Sequence, residues 1–283
     1  MTWFDGLVVV LRSLVYVGSI CVAGSVLFAA TFPNLADARS LQRQIAFGCV
    51  LLILVEPLRY VVFQLTAMGG DLTMAMGPEQ RWIGMQTAFG KASLVRVIAA
   101  FLMLIAGRRV KALAGVSSFA LIGSFLLEGH TASKDSGSLL LSVLLAVHLF
   151  AVHWWLGSLY PLRHLVKTSP ESAAAVLSDF GRRATWMVAA LVVAGALMLA
   201  SLVGWMLDPA SAYQQRFAAK ILLVLALLCL AAANKIWLTP RLVTHGATHQ
   251  IRASIGAEIA VALLILLATA FVITVAPVAM THG

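Results

Sequence analysis

The sequence predicts an all-α membrane protein, a polytopic bundle of about eight transmembrane helices. Of its 283 residues, 61% are hydrophobic and only 11% are charged, whereas soluble domains carry about 25% charged residues. Apolar stretches of about 20 residues recur along the chain, and each is long enough to cross roughly 30 Å of hydrocarbon. The three cysteines lie in apolar runs without a CxxC spacing. This pattern indicates neither a disulfide framework nor a thiolate metal site.

The apolar segments divide the chain at breaks that contain proline, glycine or charge, such as Gly69-Gly70-Asp71 and Ser169-Pro170-Glu171. We interpret residues 1–283 as a single transmembrane domain. Gly24-Ser25 and Gly157-Ser158 stand at matching depths in the first and fifth segments, which hints at a weak four-plus-four helix repeat. The predicted segments are 7–30, 44–66, 86–106, 112–128, 138–160, 182–206, 216–238 and 251–275.

Basic residues set the predicted orientation. The net charge of +9 is spread over the connections and is not clustered, so we attribute it to the positive-inside rule and not to nucleic-acid binding. Connections on one side hold only Arg81, Lys134 and Arg216. This side is therefore predicted to be periplasmic, together with both termini and a loop over 67–85. The other side and its flanks hold Arg39, Arg43, Arg108, Arg109, Lys111, Arg163, Lys167, Arg182, Arg183, Lys235, Arg241 and Arg252.

The fifth segment carries a histidine near the predicted membrane midplane. His148 follows Ser138 by ten residues, which is roughly 15 Å of helix. A midplane histidine is costly and is usually retained for a role, although a buried hydrogen bond is the alternative. Trp155, seven residues on, shares the face of His148. His153 lies on a different face, where it either hydrogen-bonds a neighbouring helix or lines another surface.

Other ionisable residues gather in the predicted outer half. Glu56 and Arg59 are one helical turn apart, so a local ion pair is one interpretation. Arg96 is similarly deep and is a second candidate partner for Glu56. Glu128 and His130 end the fourth segment at the predicted outer surface.

The predicted outer loop contains methionines, among them the pair Met74-x-Met76. Thioethers are soft ligands that select Cu(I) over hard ions, and imidazole also suits copper. The tail adds Met280 and His282 on the same predicted side. The alternative is that these methionines only pack against apolar neighbours.

Five stretches of the chain form a recognisable series. In chain order they are Thr87-Ala88-Phe89-Gly90-Lys91 with Arg96, Glu128-Gly129-His130-Thr131, His148 with Trp155 and Gly157, Asp179-Phe180-Gly181-Arg182-Arg183-Ala184, and Tyr213 to Lys220 followed by Ala231-Ala232-Ala233-Asn234-Lys235. They resemble motifs of the copper resistance D (CopD) family. The chain departs from the family pattern in the fifth segment, with Leu145 in place of a frequent aspartate, Ser158 in place of a glycine, and His153 in place of a small residue. These departures leave open a shifted ligand set that uses His153.

The resemblance implies a multi-pass protein of the bacterial inner membrane that acts in copper homeostasis. It further implies that copper is received from a periplasmic copper-binding protein and moved toward the cytoplasm. We expect copper to be bound as Cu(I), with no enzymatic reaction beyond ligand exchange. The predicted capture ligands are His130, Glu128, Met74 and Met76, the deeper ligands are His148 and His153, and the residues shaping the pathway are Glu56, Arg96 and Trp155.

Two alternatives stay open at this point. The first is a haem or redox membrane protein, because two histidines on facing helices bracket a haem, and His130, His148 and His153 are candidates. The second is a membrane partner of a periplasmic copper chaperone that binds copper without transporting it.

Overall fold

The computed structural model describes residues 3–33, 38–106, 110–128, 138–203, 212–245 and 247–274. These residues form α-helices and two π-helical segments, with no strand among them. The π-helical segments are Ile20–Gly24 and Asn234–Leu238. The α-helices are α1 (Trp3–Ser19), α2 (Ser25–Thr31), α3 (Ala38–Ala67), α4 (Leu72–Ala75), α5 (Pro78–Gln86), α6 (Ala88–Ala106), α7 (Lys111–Leu127), α8 (Ser138–Thr168), α9 (Pro170–Val203), α10 (Ala212–Ala233), α11 (Thr239–His245) and α12 (Thr248–Thr274).

The predicted all-α membrane bundle is confirmed. Within the described ranges, seven helical stretches are long and apolar enough to cross a membrane. They are α1 with α2, then α3, α6, α8, α9, α10 with the π-helical segment after it, and α12. The fourth predicted segment, 112–128, corresponds to α7, an apolar helix of 17 residues. Its length of about 25 Å is at the lower end for a membrane span.

The prediction of a loop over 67–85 is wrong, because two short helices occupy most of it. Gly69 and Gly70 have φ values of 62° and 93°, a conformation that glycine adopts at no steric cost and that ends α3. The Asp71 carboxylate then accepts a hydrogen bond of 3.0 Å from the Met74 amide and caps α4. Pro78 begins α5, where its missing amide hydrogen is not needed.

Helices α8 and α9 are longer than their predicted segments. They contain 31 and 34 residues, and only Ser169 separates them. At about 1.5 Å per residue, α9 is about 51 Å long, well beyond the roughly 30 Å of a hydrocarbon core. Hydropathy detects only the apolar part of such a helix, which explains why the predicted boundary at residue 182 was late.

The chain groups into two compact units. The larger unit contains residues 14–158 and 187–199, and the smaller unit contains residues 1–13, 159–186 and 200–283. In the larger unit, α6 packs against α3 and α7. In the smaller unit, α10 packs against α12.

Two glycines of the larger unit bring α8 against the first π-helical segment. A Cβ atom built on Gly157 would lie 2.9 Å from the carbonyl carbon of Gly24 and 2.9 Å from the Ile20 oxygen. The Gly157 carbonyl accepts a hydrogen bond of 3.1 Å from Gln44 Nε2. Trp154 Nε1 donates to Thr31 Oγ1 over 3.0 Å. The two glycines that suggested a helix repeat are therefore contact partners, while the repeat itself stays a prediction.

We predict that Gly157→Ala destabilises the larger unit, because the added methyl group meets backbone atoms that cannot move aside. Overpacking of this kind costs about 1–3 kcal/mol. The matched control is Gly115→Ala in α7, where an added Cβ meets nothing within 4 Å. Thermal unfolding of the purified protein in detergent measures both variants. A lower melting temperature is expected for Gly157→Ala alone, and equal stability of the two variants would contradict the close packing.

Candidate functional site

Four charged side chains of the larger unit meet inside the bundle and form the buried charge cluster. They are Glu56 and Arg59 of α3, Arg96 of α6, and Glu128 directly after α7. Arg96 Nη1 lies 2.9 Å from Glu56 Oε1 and 2.6 Å from Glu128 Oε1. Arg59 Nη2 lies 3.0 Å from Glu128 Oε2. The exposed fraction of these side chains is between 0% and 9%. Water therefore hardly reaches the four charges, and each is compensated by its ion-pair partners.

Hydroxyl and aromatic groups complete the cluster. Ser93 donates a hydrogen bond of 2.7 Å to Glu56 Oε2, and Ser124 accepts one of 2.8 Å from Arg96 Nε. The guanidinium carbon of Arg96 lies 4.3 Å from the centre of the Phe125 ring. Arg59 lies 4.6 Å from the centre of the Phe89 ring in the same way. Cation–π contacts of this geometry stabilise a desolvated cation further.

The electrostatics of the cluster make it a structural centre of the larger unit. Two carboxylates face two guanidinium groups, so the cluster has no net charge. Both Arg96 and Arg59 bond to the Glu128 carboxylate, so its charge is compensated by two partners. Removing one partner from such a set leaves an uncompensated buried charge, which costs about 3–5 kcal/mol.

The local pair Glu56–Arg59 and the pair Glu56–Arg96, both considered from the sequence, are present in the structure. The sequence did not predict that Glu128 joins both arginines, because Glu128 was assigned to the outer surface. Glu128 lies 69 residues from Arg59 and 32 residues from Arg96 along the chain. The sequence contained one indication of these ion pairs, namely its composition. Charged side chains inside an apolar membrane bundle are rare and usually pair with one another.

The two histidines of α8 have different surroundings. His153 is buried, with Nδ1 2.7 Å from the Leu149 carbonyl and Nε2 3.0 Å from Ser19 Oγ. Because a carbonyl only accepts, Nδ1 carries the hydrogen, and in the neutral ring Nε2 accepts from the serine hydroxyl. His148 is half-buried, and its Nδ1 lies 3.4 Å from the Leu191 carbonyl. His130 lies outside the described residues, as do Met280 and His282.

The side chains of Met74 and Met76 are exposed, with exposed fractions of 61% and 37%. Met74 lies in α4 and Met76 directly follows that helix. Residues two apart along a helical turn do not face each other, so binding one ion through both thioethers requires this turn to open. The adjacent α5 is fixed to α3 through two backbone carbonyls. Tyr60 Oη donates to Arg81 over 2.7 Å, and Gln64 Nε2 donates to Gln80 over 2.8 Å.

The structure therefore brings together only part of the predicted site. Glu56, Arg96 and Glu128 share one cluster, Met74 and Met76 lie on the surface, and Trp155 is buried. Among the described residues, no three or more histidine, cysteine, aspartate or glutamate side chains are placed to hold a metal ion. The predicted ligand roles stay predictions. His153 already uses both ring nitrogens within the protein, which weighs against its role in the haem alternative.

Comparison with known families gives two matches. Residues 2–140 match the family model described as Copper resistance protein D-like, N-terminal domain. Residues 174–272 match the model described as Copper resistance protein D. The buried charge cluster and both exposed methionines lie in the first match, and the segment with His148, His153 and Trp155 lies between the two. No curated protein and no solved structure matches the chain.

The interdependence of the cluster is testable by a double-mutant cycle on Glu56→Gln and Arg96→Gln. We predict that each single variant loses about 3–5 kcal/mol of unfolding free energy. The double variant should lose about 0.5–3 kcal/mol less unfolding free energy than the sum of the two single variants. The reason is that it removes both charges of the pair and leaves neither without its partner. Unfolding in mixed detergent micelles, followed by circular dichroism, measures these energies.

The matched control for this cycle is Asp179→Asn, which removes a carboxylate that also pairs with two arginines but lies on the exposed surface. Exposed ion pairs contribute little to stability, so no measurable loss is expected. Additive losses for Glu56→Gln and Arg96→Gln would contradict the account of one coupled cluster.

Proposed function

Because the chain belongs to the copper resistance protein D family, we propose that it binds copper as Cu(I) on its periplasmic side and passes it toward the cytoplasm. The two family matches, which lie on both sides of residues 141–173, are the observation that carries the proposal. The seven long apolar helical stretches among the described residues are consistent with the multi-pass membrane bundle that such a path requires. The proposed location is the bacterial inner membrane, and the proposed donor is a periplasmic copper-binding protein.

The exposed methionines supply the place for capture. Cu(I) prefers soft thioether and imidazole ligands and accepts a small number of them. Met74 and Met76 present two thioethers at the surface of a segment that α5 fixes to α3. A donor protein can therefore reach both sulfur atoms without any opening of the bundle, and His130 is retained as a further proposed capture ligand.

The buried charge cluster has a supporting role in this proposal. Both Glu128 oxygens are bonded to arginines, so we assign Glu128 to the framework together with Glu56 and Arg96. A closed, neutral cluster does not repel an approaching cation, and it leaves metal binding to the soft ligands. The proposal requires ligand exchange alone and no enzymatic step.

His148 is the proposed deeper ligand. Histidines that bind metals usually donate the hydrogen of the other ring nitrogen to a carbonyl or carboxylate. The contact between Nδ1 and the Leu191 carbonyl has this form. The carbon atom that an alanine would add at Gly195 would lie 3.7 Å from the imidazole ring, so glycine leaves space beside it.

Uptake of copper into sealed proteoliposomes that contain the purified protein tests the proposal. We predict that Met74→Leu/Met76→Leu weakens the apparent copper affinity by roughly tenfold or more, because leucine keeps the apolar volume but has no ligand atom. The matched control is Met187→Leu/Met198→Leu, which makes the same change within the apolar part of α9. Equal affinity in both double variants would return Met74 and Met76 to a packing role.

The proposed deeper ligand is tested by His148→Gln, because glutamine keeps hydrogen bonding but is a poor Cu(I) ligand. We predict loss of copper uptake while the protein level stays unchanged on a blot. The control is His249→Gln, a histidine exposed at the start of α12. Normal uptake by a stable His148→Gln protein would remove His148 from the path.

Copper binding without any uptake by the wild type would instead support the non-transporting partner, and a Soret band would support the haem alternative.

The proposed direction requires the methionine segment to face the periplasm. In a variant lacking Cys21, Cys49 and Cys229, we predict that Thr73→Cys reacts with an impermeant thiol reagent in intact spheroplasts. Ser169→Cys, exposed between α8 and α9, should react only after the membrane is opened. The reverse labelling pattern would overturn the orientation.

A further inference from the structure

A cleft of about 490 Å³ in the smaller unit has no place in the copper path proposed above. From its lining we infer a binding site for the phosphate headgroup of an anionic phospholipid. The volume lies within the range of small-molecule sites, roughly 300–1,000 Å³. Its polar lining comes from α9 and from the segment around the second π-helical turn, and consists of Ser178, Arg182, Thr185, Lys235 and Thr239.

Two stretches that are far apart in sequence build this cleft. In α9, Gly181 and Thr185 both contact Lys235, which lies at the beginning of the second π-helical segment. Gly181 makes this possible, because a Cβ atom there would lie 3.3 Å from Lys235 Cγ. The aliphatic part of the Lys235 side chain therefore packs against α9 at Gly181. The Lys235 ammonium group donates a hydrogen bond to the Thr185 hydroxyl. Single π-helical turns of this kind occur frequently at functional sites.

The local charge is positive. Arg182 and Arg183 both pair with Asp179, and Lys235 adds a third cation. Three cations and one carboxylate leave a net charge of about +2 around the cleft. Asp179 also orients Arg182, whose side chain remains 77% exposed and can still reach a ligand. A phosphate monoanion or diester suits such a site, since it accepts hydrogen bonds from guanidinium, ammonium and hydroxyl groups together.

The position of the cleft along the helices selects a lipid as the source of the phosphate. Residues 184–203 of α9 contain no charged side chain, and 20 helical residues match the hydrocarbon core. Arg182 and Arg183 therefore stand at its border, on the side that the basic residues predict to be cytoplasmic. Trp186, which lines the cleft, is 78% exposed, and Trp237, which lies in the chain between the lining residues Lys235 and Thr239, is 62% exposed. Exposed tryptophans are expected at the membrane–water interface.

Basic pockets between transmembrane helices at this depth bind the headgroups of anionic lipids. The headgroup would contact Arg182, Lys235 and Thr185, while the acyl chains lie along the exposed apolar surface near Trp186 and Ile236. This inference does not depend on copper binding, and it assigns a role to two sequence stretches that the copper path leaves unused.

The test titrates the purified full-length protein in detergent with phosphatidylglycerol or with phosphatidylcholine of the same acyl chains, and counts bound lipids by native mass spectrometry. We expect the wild type to prefer phosphatidylglycerol. Arg182→Gln/Lys235→Gln should weaken phosphatidylglycerol binding by roughly 10- to 30-fold, since each basic group near an anionic headgroup contributes to the attraction. The charge-preserving Arg182→Lys/Lys235→Arg should keep most of the preference, which separates charge from misfolding.

The matched control is Arg43→Gln/Lys111→Gln, which removes two exposed basic residues of the larger unit on the same predicted side. It should bind phosphatidylglycerol as the wild type does. An equal loss in both Gln double variants, or no loss in Arg182→Gln/Lys235→Gln, would overturn the inference. Displacement of phosphatidylglycerol by millimolar inorganic phosphate would also overturn it, because the site would then recognise the free ion and not the lipid.

Discussion

The pairing of four charges inside an apolar bundle is the constraint on which the larger unit depends. Glu56, Arg59, Arg96 and Glu128 are almost completely removed from water, and each is stable there only because the others are present. The cluster joins α3, α6 and the end of α7, which fixes how these helices pack. It also fixes the position of Phe89 and Phe125, whose rings cover the two guanidinium groups.

This constraint separates the structural polar residues from those available to a metal. Both carboxylates of the cluster are occupied by arginine and serine partners, and His153 is occupied by Leu149 and Ser19. The side chains that remain in the proposal are soft or borderline ligands, namely Met74, Met76 and His148. A family that handles copper needs such ligands, because a hard carboxylate site would favour other cations. The framework and the proposed path therefore use different chemistry.

Hydropathy was sufficient to predict the fold class and the centres of the helices, because each span must bury its own backbone hydrogen bonds in an apolar stretch. It did not predict α4 and α5, because helices of four and nine residues are too short to give a membrane-span pattern. Their starting signals are the cap at Asp71 and the proline at position 78. The pairs Glu56–Arg59 and Glu56–Arg96 were suggested by spacing and depth. The bonds of Glu128 to both arginines, and of His153 to Ser19 across 134 residues, depend on tertiary packing that no local pattern encodes.

X-ray absorption spectroscopy of the purified protein loaded with Cu(I) tests the central claim most directly, because it identifies the atoms bound to the metal. The account predicts sulfur ligands together with imidazole nitrogen, and a loss of the sulfur contribution in Met74→Leu/Met76→Leu. A spectrum with oxygen ligands alone, unchanged by that substitution, would contradict it. Such a result would mean that carboxylates bind the copper and that the buried charge cluster opens to provide them.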